Sequence, residues 1–201
     1  MKKSILTIAI ALVSLLGVSQ SAFAANHDKD EVTVLTAISR INKIEVHGNV
    51  ELYLSNGTTD QVKVYNKYYS ENALVQNQNG VLSISSYNTQ KLVVWITVGD
   101  LQNLSVYDNA RVKSFGQLSA LDLDVKLYNH ASAQLNMDAY AASFQLNDHA
   151  KADIEGTIAK AELNYDYSSS LNITNLNCEH LAKKVNLNDS ANTAGSLVEM
   201  Q

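Results

Sequence analysis

The 201-residue sequence predicts an all-β chain in which an irregular, strand-rich start runs into a parallel β-solenoid. Three observations carry this: apolar and polar residues alternate over much of the chain, one short phrase recurs at a period near 20 residues, and there is no proline. Alternation marks strands with one buried face. A fixed short period marks stacked coils. A chain without proline suits strands that all donate N–H groups to a neighbour.

Taken in order, Lys2 and Lys3 precede an apolar run from Ile5 to Val18, and "SQSAFA" follows at Ser19–Ala24. The run is shorter than the roughly 20 residues that span a bilayer, and Ala22 and Ala24 form a small-x-small cleavage site. Residues 1–24 are therefore expected to be a signal peptide, residues 25–31 ("ANHDKDE") a polar, flexible lead-in, and residues 32–201 one domain. No later segment is long and apolar enough to cross a membrane as a helix, so the expected location is the periplasm or surface of a Gram-negative bacterium. Cys178 is the sole cysteine and has no partner for an internal disulfide.

The formal charge is −5, and it becomes −7 once Lys2 and Lys3 are removed. The lysines are scattered, and only Arg40 and Arg111 offer a planar guanidinium. No basic stripe is available for phosphates, which excludes nucleic acid and disfavours anionic headgroups.

From Val32 to Val98 period two dominates, in Ile44 and Val46, in Val50, Leu52 and Leu54, in Val62 and Val64, in Leu82 and Ile84, and from Leu92 to Val98. Between these runs stand "HGN" at His47–Asn49, "SNG" at Ser55–Gly57 and "NQNG" at Asn77–Gly80, where Gly and Asn tolerate positive φ. The segment "YYSENALVQ" at Tyr68–Gln76 reads as loop.

Beyond Asp100 five phrases align without gaps: "LSVYDNARV" from Leu104, "VKLYNHASA" from Val125, "FQLNDHAKA" from Phe144, "LNYDYSSSL" from Leu163 and "VNLNDSANT" from Val185. Each is strand, polar corner, small residue, strand. The small residues Ala110, Ala131, Ala150, Ser169 and Ala191 are expected to stack inward at the bend, where a larger side chain would crowd the core. Each strand would pair in parallel with its copy about 4.8 Å away.

The stretches "IEVHGNVELYLSNG", "VKVYNK", "NGVLSISS" and "LVVWITVGDLQNLSVYDNARV", with the rungs that follow, resemble the bacterial putative auto-transporter adhesin family defined by the head GIN domain. The resemblance runs from about Ile38 to Leu197. It implies export, a right-handed parallel β-helix, and no catalytic residue to carry over. No outer-membrane barrel follows, since nothing after Leu176 offers several alternating ten-residue strands.

The corner pairs Tyr107-Asp108, Tyr128-Asn129, Asn147-Asp148, Asp166-Tyr167 and Asn188-Asp189 have two readings. Asx side chains bond their own backbone and close a turn. The same ladder of tyrosine and Asx groups could present a stacking and hydrogen-bonding strip to a glycan. His130 and His149 occupy one slot in successive rungs and are weak metal candidates, because that slot is Asn109, Ser168 and Ser190 elsewhere. Asp122 and Asp124, alternating with Leu121, Leu123 and Val125, read as outward solubilising charge. With Asp108 and Arg111 they could instead imitate an acidic cleft, but a glycosidase needs one carboxyl raised by burial. Trp95 reads as a packing residue and Cys178 as a buried, inert thiol.

The expected function is an exported, non-catalytic binding protein, without cofactor, that contacts a glycan, an envelope component or another protein. The alternatives are a carbohydrate-active enzyme of β-helix type, or a structural protein that self-associates end to end through its last rung.

Overall fold

The computed structural model describes residues 32–35, 40–65 and 73–186, so the expected signal peptide, the lead-in and the fifth corner lie outside it. Among the described residues there are strands and turns and no helix. The chain is all-β. The strands are β1 (Val32–Leu35), β2 (Lys43–Gly48), β3 (Val50–Asn56), β4 (Gln61–Tyr65), β5 (Ala73–Gln78), β6 (Val81–Ser86) and β7 (Leu92–Val98). They continue as β8 (Asn103–Val106), β9 (Arg111–Ser114), β10 (Leu118–Leu127), β11 (Ser132–Leu146), β12 (Lys151–Asp166), β13 (Ser170–Asn172) and β14 (Leu176–Asn186).

The repeat sets the pairing where its phrases align. Leu104 pairs in parallel with Val125, Val125 with Phe144, and Phe144 with Leu163, and all four side chains are buried. The fifth phrase is displaced: Val185 pairs with Tyr165, and Leu163 faces Lys183. An Asx turn lengthens this rung by one residue, from an offset of 19 to one of 20, which still falls two short of the 22 that the fifth phrase needs. Asn172 accepts from the Thr174 N–H and hydroxyl, and the turn adds one residue between the Asp153–Asn172 and Gly156–Leu176 pairings. A slip of two residues preserves the inward and outward alternation, so the apolar pattern alone could not register it.

Among the described residues the strand-rich start follows the parallel pairing in part. β2 and β3 pair in parallel with β8 and β9, with Ile44 on Leu104 and Glu51 on Arg111. β6 and β7 pair in parallel with β2 and β3, with Leu82 on Ile44 and Leu92 on Val50. These are two further rungs, stacked out of chain order. Antiparallel strands flank them, β4 against β1 and β7, and β5 against β6, so the sheet is mixed. Ala73–Gln76, expected to be loop, belongs to β5.

Two columns show how the core is built. Before the corner, Leu82, Ile44, Leu104, Val125, Phe144 and Leu163 stack across successive strands, all buried. After it, Val94, Leu52, Val112, Ala133 and Ala152 do the same and shrink toward the later rungs. Ala110, Ala131 and Ala150 are fully buried at the bend, as the repeat implies, and Ser169 is partly buried. Ala131→Leu is expected to cost about 1–3 kcal/mol, the usual penalty of overpacking. An unchanged denaturation midpoint would show that this bend has spare room.

Leu121 breaks the expected alternation and is 77% exposed. The pairing of β10 with β11 skips it, passing from Ala120–Ala139 to Asp122–Ala141, and the next rung skips Tyr140 likewise. The long strands therefore bend here, and Leu121 and Tyr140 point outward.

Candidate functional site

Each corner is a tight turn closed by its own backbone. The N–H groups of Ala110, Ala131, Ala150 and Ser169 donate to the carbonyls of Tyr107, Tyr128, Asn147 and Asp166 at 3.1–3.3 Å. Asp108, Asn129 and Asp148 sit in the left-handed region at φ 59–61°, and His149 joins them at 70°. Asx side chains tolerate that region better than most, so the backbone part of the turn reading holds at these three residues, while a side-chain bond to the corner's own backbone is made by Asp166. Successive corners are also bonded to one another, since Asn129 Nδ2 donates to Asp108 Oδ1 at 3.3 Å and Gly48 N–H to Asp108 Oδ2 at 3.0 Å.

The tyrosines form a stack. His47 lies on Tyr107 at 4.3 Å with planes 2° apart, and Tyr107 lies on Tyr128 at 5.0 Å with planes 6° apart. Tyr107 is thus covered on both faces and offers only its edge and hydroxyl. His47 was not among the sequence candidates. The clue was present in "VHGN", which stands sixty residues before "VYDN" and makes the same corner one rung earlier.

The remaining candidates divide. Asn147 is half-buried, while Asp148 and Tyr167 are exposed. Asp166 is buried, and its carboxylate is consumed within the protein. It accepts from the Asp148 N–H at 2.8 Å, the Ser168 N–H and hydroxyl at 3.1 and 2.8 Å, and the Ser169 N–H at 2.9 Å. Burial would raise its pKa, but these bonds, led by that from Asp148, hold it at about 2. Asn188 and Asp189 lie outside the described residues.

His130 and His149 are exposed and stacked at 5.5 Å with planes 10° apart. Among the described residues no group of three or more His, Cys, Asp or Glu comes together in a way that could hold a metal. The rings instead form the rim of an open groove of about 740 Å³ running across β9, β11, β12 and β13. Its floor is the outward face of those strands. Arg111, Ser132, Lys151 and Ser170 make one row, and Lys113, Gln134, Asp153 and Asn172 the next.

Both rows continue onto β3 and β7. Arg111 adjoins Glu51, and Lys113 adjoins Tyr53, which adjoins Trp95. Glu51 accepts from Lys91 at 3.0 Å, Lys113 at 3.1 Å and the Tyr53 hydroxyl at 2.9 Å. Chiefly the Lys91 bond brings its pKa down to about 2. Trp95 does not face the core. It stacks on Tyr53 at 4.6 Å and meets Phe115 edge-on at 5.3 Å, and Phe115 is 64% exposed.

The acidic-cleft arrangement does not assemble. Asp124 pairs with Lys126 at 2.7 Å and Asp108 is spent on the corner. Asp122 and Arg111 line different surface depressions. Cys178 is partly buried against the core, and its thiol donates to the His180 carbonyl at 3.3 Å. No helix among the described residues is long and apolar enough to cross a membrane.

The family model described as putative auto-transporter adhesin, head GIN domain, matches residues 40–194. No curated protein matches the sequence. Among solved structures, the chain is similar to a putative adhesin from Bacteroides fragilis, with TM-score 0.65 at 17% identity over 77% of this chain and 76% of that one. It is also similar to a putative lipid binding protein from Parabacteroides distasonis, with TM-score 0.59 at 10% identity over 77% and 78%. A putative adhesin from Parabacteroides merdae gives TM-score 0.58 at 13% identity over 77% of each chain. At such identities the likeness is one of fold.

Proposed function

The chain belongs to the putative auto-transporter adhesin, head GIN domain family, and from that membership we propose that it is an exported, non-catalytic surface-interaction protein whose corner ladder and adjoining groove take a glycan of the cell envelope or its surroundings. In this reading residues 1–24 are removed on export, residues 25–31 are a lead-in, residues 32–201 form one domain, and the parallel rungs coil as a right-handed β-helix.

The observation that carries the reading is the groove itself. It is open, crosses four strands, and repeats polar side chains from rung to rung beside Asn109 and the two histidines of the corners. A regular row of donors and acceptors suits a polymer with a repeating unit. Catalysis would ask for a carboxyl held protonated by burial. Glu51 and Asp166 are instead both held low by the bonds they accept.

A screen of glycans and envelope polysaccharides against the purified protein tests this. Tyr107→Ala/Tyr128→Ala is expected to weaken saturable binding at least tenfold, whereas Tyr128→Phe, which keeps the ring stack, is expected to lose only what its hydroxyl contributes. Absence of saturable binding to any glycan would overturn the reading and leave protein partners or self-association.

A further inference from the structure

The groove and the aromatic cluster are one surface, and its charge runs against that of the protein. We propose that this face is a binding site for an acidic polysaccharide, with Arg111 and Lys151 holding carboxylates and Phe115 taking the apolar face of a sugar ring. The inference rests on the glycan reading above and names the ligand's chemical class.

Continuity comes from the pairing. Outward residues run Lys63, Trp95, Tyr53, Lys113, Gln134 and Asp153 across β4, β7, β3, β9, β11 and β12. With a further step to β13, the row spans six inter-strand spacings, about 29 Å at roughly 4.8 Å each. This is the dimension of a polymer site, too long for a single small molecule. Arg111 and Phe115 lie four residues apart on the same outward alternation, so the guanidinium and the exposed ring flank Lys113 on one face.

Charge selects the ligand. The protein is acidic overall at −5, yet Lys63, Lys91, Arg111, Lys113 and Lys151 face this surface against Glu51 and Asp153. Lys91 and Lys113 are engaged by Glu51. Arg111 and Lys151 are exposed and make no ion pair among the described residues. They stand in one row separated by Ser132, hence about 10 Å apart along the stack at two strand spacings. Two uncompensated cations at a fixed interval fit carboxylates repeated along a chain, and the guanidinium fork accepts a carboxylate through two parallel bonds. Ser132 and Gln134 between them can donate to hydroxyls. A neutral glycan would leave both cations without partners, while a polyanion lacking apolar surface would leave Phe115 unused.

Titration of the protein with polygalacturonate and with the same polymer methyl-esterified tests the proposal. The acidic form is expected to bind at least tenfold more tightly and to weaken with added salt. Arg111→Gln/Lys151→Gln should remove that preference, Arg111→Lys should restore part of it, and Phe115→Ala should weaken both forms alike. All these side chains are exposed, and circular dichroism of the variants confirms the fold. Equal affinity for both polymers, or a preference that survives Arg111→Gln/Lys151→Gln, would overturn the inference. If only neutral glycans bind, and Tyr107→Ala/Tyr128→Ala abolishes it, the glycan reading stands and the acidic ligand falls. If no glycan binds, both fall.

Discussion

Gly156→Ala is expected to destabilise the protein by about 3–5 kcal/mol, combining a strained backbone with a steric clash. Gly156 sits at φ +104°, a conformation that residues with a Cβ rarely adopt. A Cβ placed there would run into the backbone carbonyl and amide nitrogen of Met137 in the adjoining strand. The column through this position is otherwise large and apolar, with Leu118 on Met137 and Leu176 on the far side of Gly156. The glycine is therefore a bend in the rung and cannot be treated as a gap to fill. Urea denaturation of wild type and variant would measure the cost. A loss under 1 kcal/mol would mean that the adjoining strand can move away, and that the rungs are more loosely joined than their hydrogen bonding implies.

Asp166→Asn is expected to cost about 2–3 kcal/mol at neutral pH, because four donors that now meet a buried carboxylate would share a single amide oxygen. Its pH dependence separates this from a packing defect. The folded pKa lies below the ordinary carboxylate value, at about 2. The stabilisation is thus fully present above about pH 4 and is lost as pH falls through 4 toward 2. One pKa unit corresponds to about 1.4 kcal/mol, so the charge is worth about 2 kcal/mol. Glu51, also held at about 2, weakens the protein in the same window. The gap between wild type and Asp166→Asn should therefore narrow on acidification toward pH 2. A gap that stays constant over that range would assign the loss to packing and not to the carboxylate.

Much of this fold was legible in the sequence, and the parts that were not share a physical cause. Leu104, Val125, Phe144 and Leu163 could be aligned because consecutive rungs have nearly equal length and the Asx corners recur. The β2/β3 and β6/β7 rungs obey the same rules, but the later pair stacks outside the earlier one. No constant offset connects them, and a search for a period passes over the sixty-residue echo between "VHGN" and "VYDN". Leu121 failed differently. Alternation fixes a face only while the strand stays straight, and β10 bends at Leu121. Trp95 packs as the sequence reading has it, on the outward face of the Leu92–Val98 alternation and against Tyr53 and Phe115.

The corner candidates were recognisable as a set, but their roles were not. Asp166 takes the slot of Tyr107, Tyr128 and Asn147, one before that of Asp108 and Asp148, and there its carboxylate accepts from Ser168 and Ser169 of its own corner. The row of Arg111, Ser132 and Lys151 follows from the gapless phrases, but its continuation onto Glu51, Tyr53 and Trp95 does not, because β3 and β7 stack on β9 outside the period.

The measurement that bears most directly on the central claim is the affinity of the purified protein for an acidic polysaccharide and for its esterified form, with wild type and Arg111→Gln/Lys151→Gln compared side by side. The account expects wild type to favour the acidic form at least tenfold and the variant to show no preference. Equal binding of both polymers by wild type would contradict it.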